Sequence, residues 1–127
     1  IGSTPSLAAH CGRGDDYGVH LWFGHCGTYS DCHWDPYHNI LVSVVGVKRM
    51  VLFSPEQSAC LYAQNTLQRN TSSVDLRAPD LEKFPLFKNA RGCSVTLEAC
   101  DAVFIPVKWW HFCHNDTGCL AVNYWWL

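Results

Sequence analysis

"HWDPYHN", residues 33–39, sets a histidine and a carboxylate two positions apart, then a proline, then a second histidine. In an extended segment the side chains at i and i+2 share a face. His33 and Asp35 would then project together while Trp34 points away. Two ligands alone make a poor metal site, so the pair matters only if a neighbouring strand in space supplies a third. Whether the chain is a β-barrel therefore decides what the heptapeptide can do.

Working outward, short runs of β-branched and aromatic residues alternate with turn signals along most of the chain. Residues 19–23 (VHLWF) end at Gly24, and residues 40–45 (ILVSVV) and 49–53 (RMVLF) flank Gly46, which predicts a hairpin there. Residues 94–97, 102–105, 111–114 and 120–126 continue the pattern, punctuated by Asp101, Pro106 and the turn at 115–118. Between 55 and 92 the character changes. A short helix is expected over 55–62, with Ser54 as its cap and Pro55 at its first position, and one helical turn over 80–84 ended by Pro85. Many short strands and one long excursion predict a mainly β sandwich or small barrel.

The 127 residues make one domain's worth of chain, and 48% hydrophobic against 16% charged residues indicates a packed core. A formal net charge of −2 provides no general attraction to nucleic acid or to an anionic membrane, and no apolar run is long enough to span a bilayer. The first eighteen residues, rich in Gly, Ser and Asp, lack the features of a signal peptide and read as a loop, so the chain is expected to begin inside a larger domain. None of the eight cysteines forms a CxxC pair, which disfavours structural zinc, and no secretory context supports disulfides. They are expected as reduced thiols packed like small hydrophobes.

The distant imidazole is sought in "FIPVKWWHFCHN", residues 104–115. His111 begins a strand after a proline turn and is the preferred partner. His114 has the opposite parity and should face away, and His38 lies past Pro36, where the strand has turned. A lone histidine is more often a hydrogen-bonded structural side chain, and HxD arises often by chance. His33, Asp35 and His111 together would make the two-histidine, one-carboxylate face of non-haem Fe(II) oxygenases, with three positions open for co-substrate and O2.

Residues 21–55 (LWFGHCGTYSDCHWDPYHNILVSVVGVKRMVLFSP), 70–87 (NTSSVDLRAPDLEKFPLF), 101–112 (DAVFIPVKWWHF) and 122–126 (VNYWW) together resemble the JmjC-domain oxygenases, most nearly the JmjC-only protein hydroxylases. The resemblance implies a double-stranded β-helix, the jelly-roll or cupin barrel, over residues 21–127 and incomplete at its N-terminal side. Residues 1–20 would be a loop or the remnant of an upstream domain. It implies Fe(II) held by His33, Asp35 and His111, and 2-oxoglutarate as co-substrate. The co-substrate's contacts map to Lys48, Ser30 and Asn39, with Asn123 beside it.

A cation at position 48 also makes physical sense, because a carboxylate inside a narrow apolar barrel is costly without a partner. The competing readings are an exposed hairpin lysine for Lys48, plain turn residues for Ser30 and Asn39, and core or pocket wall for Trp22 and Trp110. Three stretches depart from the family pattern. Gly24-His25-Cys26-Gly27-Thr28 stands for Gly-Pro-x-Gly-Thr, and Ser30-Asp31-Cys32-His33 for Ser-Pro-x-His. Ala99-Cys100-Asp101 stands for Pro-Gly-Asp and so loses a residue suited to positive φ.

The activity the resemblance implies is hydroxylation of a protein or peptide side chain using O2, arginine before lysine, with succinate and CO2 as co-products. The alternatives are a histone N-methyl-lysine demethylase using the same chemistry, a catalytically inactive JmjC interaction module, and a small-molecule cupin enzyme using another metal. The expected compartment is the nucleus and/or the cytoplasm.

Overall fold

The computed structural model describes residues 16–64 and 69–127. Among these described residues eight strands follow one another: β1 Asp16–Gly24, β2 Tyr29–Trp34, β3 His38–Val45, β4 Lys48–Phe53, β5 Gly92–Leu97, β6 Ala102–Ile105, β7 Trp110–Asn115 and β8 Cys119–Trp126. They form two antiparallel four-stranded sheets, ordered β1-β8-β3-β6 and β2-β7-β4-β5. Chain neighbours alternate between the sheets everywhere except β4 and β5, which pair with each other across the long excursion. This alternation makes a jelly-roll, the mainly β barrel expected.

Two local expectations change. β3 and β4 do not form a hairpin: β3 lies between β8 and β6, whereas β4 lies between β7 and β5. Gly46, at φ +88, instead turns the chain from one sheet to the other, and a Cβ there would strike the carbonyl oxygen of Gly118. A glycine between two apolar runs signals a reversal, and the signal is the same whether the chain folds back or crosses a corner. Second, the loop expected up to residue 20 gives way to strand at Asp16, because Asp16–Gly24 finds the open edge of β8 and pairs along it. What was expected of residues 1–15, and of strands upstream of them, lies outside the described residues.

The excursion is less helical than expected. A 3-10 turn occupies only Pro55–Gln57, with Ser54 before it making no side-chain cap bond. The Phe84 N–H bonds the Asp80 carbonyl (2.9 Å), closing the single turn expected at 80–84, and Pro85 then opens a second 3-10 turn, Pro85–Asn89. Pro85 suits that role because its fixed φ fits a first helical position and it has no N–H to lose.

What the excursion does is cover the outer face of the second sheet. Cys32, Phe53, Trp110 and Phe112 point outward there and pack with Leu61, Leu76 and Phe87. Residues 70–72 also close the free edge of β2: Trp34 N–H bonds Asn70 O, and Ser72 N–H bonds Cys32 O. A sheet edge left open would be a template for foreign strands.

A second core lies between the sheets, where Leu41, Met50, Leu52, Leu97, Ile105 and Ala121 fill one part of the barrel. The remaining interior is a cavity. No helix among the described residues is long and apolar enough to cross a membrane.

Candidate metal centre

Two features of β2 and β7 build the site. His33 pairs directly with His111 across the two strands, so both imidazoles leave the sheet at one rung. Ser30 pairs with Cys113, and the register shifts between Ser30 and His33. Without that bulge, residues three apart would face opposite sides. With it, both Ser30 and His33 line the cavity, while Cys32 and Trp34 pack on the outer face. Asp35 follows the last residue of β2, and its carbonyl accepts from the Lys108 N–H (2.9 Å), tying it to the turn before β7.

The ligand atoms of His33, Asp35 and His111 all lie within 4.8 Å of one another. Asp35 Oδ2 is 4.0 Å from His33 Nε2 and 3.5 Å from His111 Nε2, too far for good hydrogen bonds and suited to a shared cation between them. Each ring's other nitrogen faces a backbone carbonyl: His33 Nδ1 lies 2.7 Å from Asp31 O, and His111 Nδ1 3.1 Å from Trp109 O. A carbonyl only accepts, so both Nδ1 atoms carry the proton and both Nε2 lone pairs turn towards Asp35.

Burial, reinforced by the neighbouring His33, lowers the His111 pKa to about 4. The imidazole is therefore neutral at neutral pH, as a metal ligand must be, and its approach to Asp35 is not an ion pair. The chemistry of this donor set fits Fe(II).

The two histidines set aside in the sequence do not reach this cavity. His114 Nδ1 bonds Asp116 Oδ1 at 2.9 Å, and His38 stacks on Phe104 and Trp126.

The same cavity is walled by Ser30, Asn39, Lys48 and Asn123, together with Trp22 and Trp125. Lys48 is 8% exposed, so it is not a solvated hairpin residue. It opens β4, and its ammonium donates to Asn115 Oδ1 at 2.6 Å. Asn123 accepts from Trp22 Nε1 (2.9 Å) and donates to Asn39 Oδ1 (3.2 Å), a fixed chain of polar groups along the wall. Trp22 is pocket wall, whereas Trp110 is fully buried beneath the excursion.

Three positions at or beside the cavity escaped the sequence reading. Cys113 lines the cavity between His111 and Lys48, and burial raises its thiol to about 11. Asn115 meets Lys48, and Trp125 closes one wall. Strand parity could have found the first two, since 111, 113 and 115 share one face.

The described cysteines are all free, but Cys26, Cys93 and Cys100 are exposed rather than packed as expected. Among the described residues only His33, Asp35 and His111 group as metal ligands, so no cysteine cluster exists there.

Comparison with known proteins agrees with this fold. The profile of the cupin-like domain family matches residues 3–127. Lysine-specific demethylase 8 of Danio rerio is 40% identical over 116 residues, covering 91% of this chain and 29% of that protein. The JmjC domain-containing protein D of Dictyostelium discoideum is 43% identical over 100 residues, 77% of this chain and 22% of that protein. The Jumonji C domain-containing protein 5 of Drosophila melanogaster is 33% identical over 109 residues, 85% of this chain and 27% of that protein. The chain thus spans about a quarter of the length of the curated relatives it matches. It belongs to the cupin-like domain family, among the JmjC-domain proteins.

Proposed function

We propose that this barrel is the catalytic core of an Fe(II)- and 2-oxoglutarate-dependent oxygenase acting on a protein side chain. The observation that carries the reading is a single cavity lined both by the clustered His33, Asp35 and His111 and by the buried Lys48. Ferrous iron with 2-oxoglutarate and O2, when bound, supplies oxidation of an unactivated C–H bond, with succinate and CO2 as co-products.

The chain's own residues do the rest. His33, Asp35 and His111 would hold the metal from one side, their rings fixed by the Asp31 and Trp109 carbonyls. Lys48 would receive the far carboxylate of 2-oxoglutarate, with Ser30 and Asn39 as polar neighbours and Asn123 holding Asn39 in place. The Asn39 amide nitrogen has no acceptor among the described residues and is available to such a ligand. Trp22, Leu41, Met50 and Ile105 would give the bound co-substrate apolar walls in place of water.

We propose arginine first as substrate residue and lysine second, a reading supported by the sequence's resemblance to the JmjC-only hydroxylases. The names of several relatives, lysine-specific demethylases, favour a second reading in which an N-methyl-lysine carbon is oxidised and lost by the same chemistry.

The test uses the full-length protein with Fe(II), 2-oxoglutarate and candidate peptides. Succinate release with a gain of 16 Da on arginine or lysine supports hydroxylation, and loss of a methyl group supports demethylation. Asp35→Ala should abolish both. A well-folded protein that never consumes 2-oxoglutarate would instead be an interaction module.

A further inference from the structure

Lys48 and Asn115 face each other as paired residues of β4 and β7. Beyond the 2.6 Å bond from the ammonium to Asn115 Oδ1, the contacts continue in one direction. Asn115 Nδ2 donates to Thr28 Oγ1 at 2.8 Å, and the Thr28 hydroxyl donates to His25 O at 2.8 Å. Because the Thr28 proton is committed to His25, its oxygen must accept from Asn115, and the amide must then turn its oxygen to Lys48. The backbone locks the same residues, with Asn115 N–H on Thr28 O (2.9 Å) and Gly27 N–H on Asn115 O (2.8 Å). A Cβ at Gly24 would lie 2.5 Å from Asn115 Nδ2, so β1 leaves room for this amide only through a glycine.

We propose that Asn115 is a positioning residue for co-substrate binding: through Thr28 it fixes the Lys48 ammonium at the cavity wall without neutralising it. The inference rests on the reading of Lys48 as the partner of 2-oxoglutarate's far carboxylate. Asn115 is 7% exposed, and none of the ion pairs among the described residues includes Lys48. A carboxylate at 115 would hold the lysine equally well and cancel the charge the ligand needs. An ammonium has three protons, so the bond to Asn115 leaves two for a carboxylate. Lys48 also borders a second cavity, lined by Trp22, Thr28, Tyr29 and Asn115. Released from Asn115, its flexible stem lets the ammonium turn that way and away from the ligand.

The experiment measures binding, not turnover. Full-length protein loaded with Mn(II) is titrated calorimetrically with 2-oxoglutarate, and with 2-oxopentanoate, which carries a methyl in place of the far carboxylate. Asn115→Ala should weaken 2-oxoglutarate about tenfold, the effect of one hydrogen bond to a charged group. Asn115→Asp, which keeps the shape of the side chain, should weaken it about a hundredfold by pairing the lysine internally. Neither should change 2-oxopentanoate, and Lys48→Met should act on 2-oxoglutarate alone.

Equal weakening of both ligands would mean that Asn115 merely supports the fold, and would overturn the proposal. So would unchanged 2-oxoglutarate binding in both Asn115 variants while Lys48→Met still weakens it. If Lys48→Met has no effect, the reading of Lys48 itself fails and the inference falls with it. Should Asn115→Ala not fold, the Asp variant decides alone.

Discussion

His33 and His111 sit opposite each other on adjacent strands with ring centroids 4.3 Å apart, although 77 residues lie between them in the chain. Two imidazoles at this distance, the His111 ring neutral and a carboxylate beside both, gain little from one another without a cation. His111→Ala should therefore lower affinity for Mn(II) by more than about a hundredfold, beyond the range for groups outside the metal's direct contacts. His114→Ala should leave it unchanged, because His114 bonds Asp116 outside the cavity. Calorimetric titration with the metal alone checks both, and loss of binding in the His114 variant would relocate the site.

Much of this was legible, and the reasons differ by residue. Strand positions follow from β-branched and aromatic runs between Gly, Pro and Asp, and β6 falls where expected, at Ala102–Ile105. Parity alone separates His111 from His114. It fails for Ser30 and His33, which share a face through a bulge that no glycine or proline marks. Alternation is also absent in the first sheet: Leu21 and Phe23, 68% and 85% exposed, are as apolar as the interior. Sheet membership was not legible at Gly46, because pairing partners are chosen by packing between residues far apart in sequence. Lys48 was read from the family likeness; parity puts Asn115 on the face of His111, but its pairing with Lys48 needed the register between β4 and β7.

The corner at Gly46 should be intolerant of any side chain. Its φ of +88 disfavours L-residues, and a Cβ would also meet the Thr117 hydroxyl at 2.8 Å and the Cys119 sulfur at 2.9 Å. Gly46→Ala should cost about 2 kcal/mol or more, from the backbone term plus crowding. Denaturant unfolding measures it. A loss under about 0.5 kcal/mol, the ordinary surface range, would show that β3 and β4 join in some other way.

At Cys100 the opposite change should help. This residue stands where the family pattern has glycine, and it adopts φ +75 while its N–H bonds Ser43 O at 2.8 Å. The side chain is exposed, so little packing is at stake. Cys100→Gly removes the clash between Cβ and backbone, although glycine loses more entropy on folding. The net gain should be about 0.5–1 kcal/mol, seen as a melting point a few degrees higher. A lower melting point would mean that the thiol makes a contact the turn depends on.

The cysteines should divide sharply by burial when the native protein is alkylated. Cys93 and Cys100 are exposed and should react first at pH 8. Cys26 is exposed too, but its sulfur bonds Asp116 O at 3.0 Å, so it should follow more slowly. Cys32 is 1% exposed, and burial, with Cys113 and Asp31 adding to it, raises its thiol to about 12. Cys113 is raised to about 11, with burial again the first cause and Lys48 opposing it. A raised pKa leaves almost no thiolate of either at pH 8; Cys32 is also closed to solvent and should react only after unfolding, whereas Cys113, partly buried on the cavity wall, should react late. Peptide mass mapping before and after denaturant reads the order directly. Early labelling of Cys113 would show that the cavity opens to solvent more widely than its walls of Trp22 and Trp125 imply.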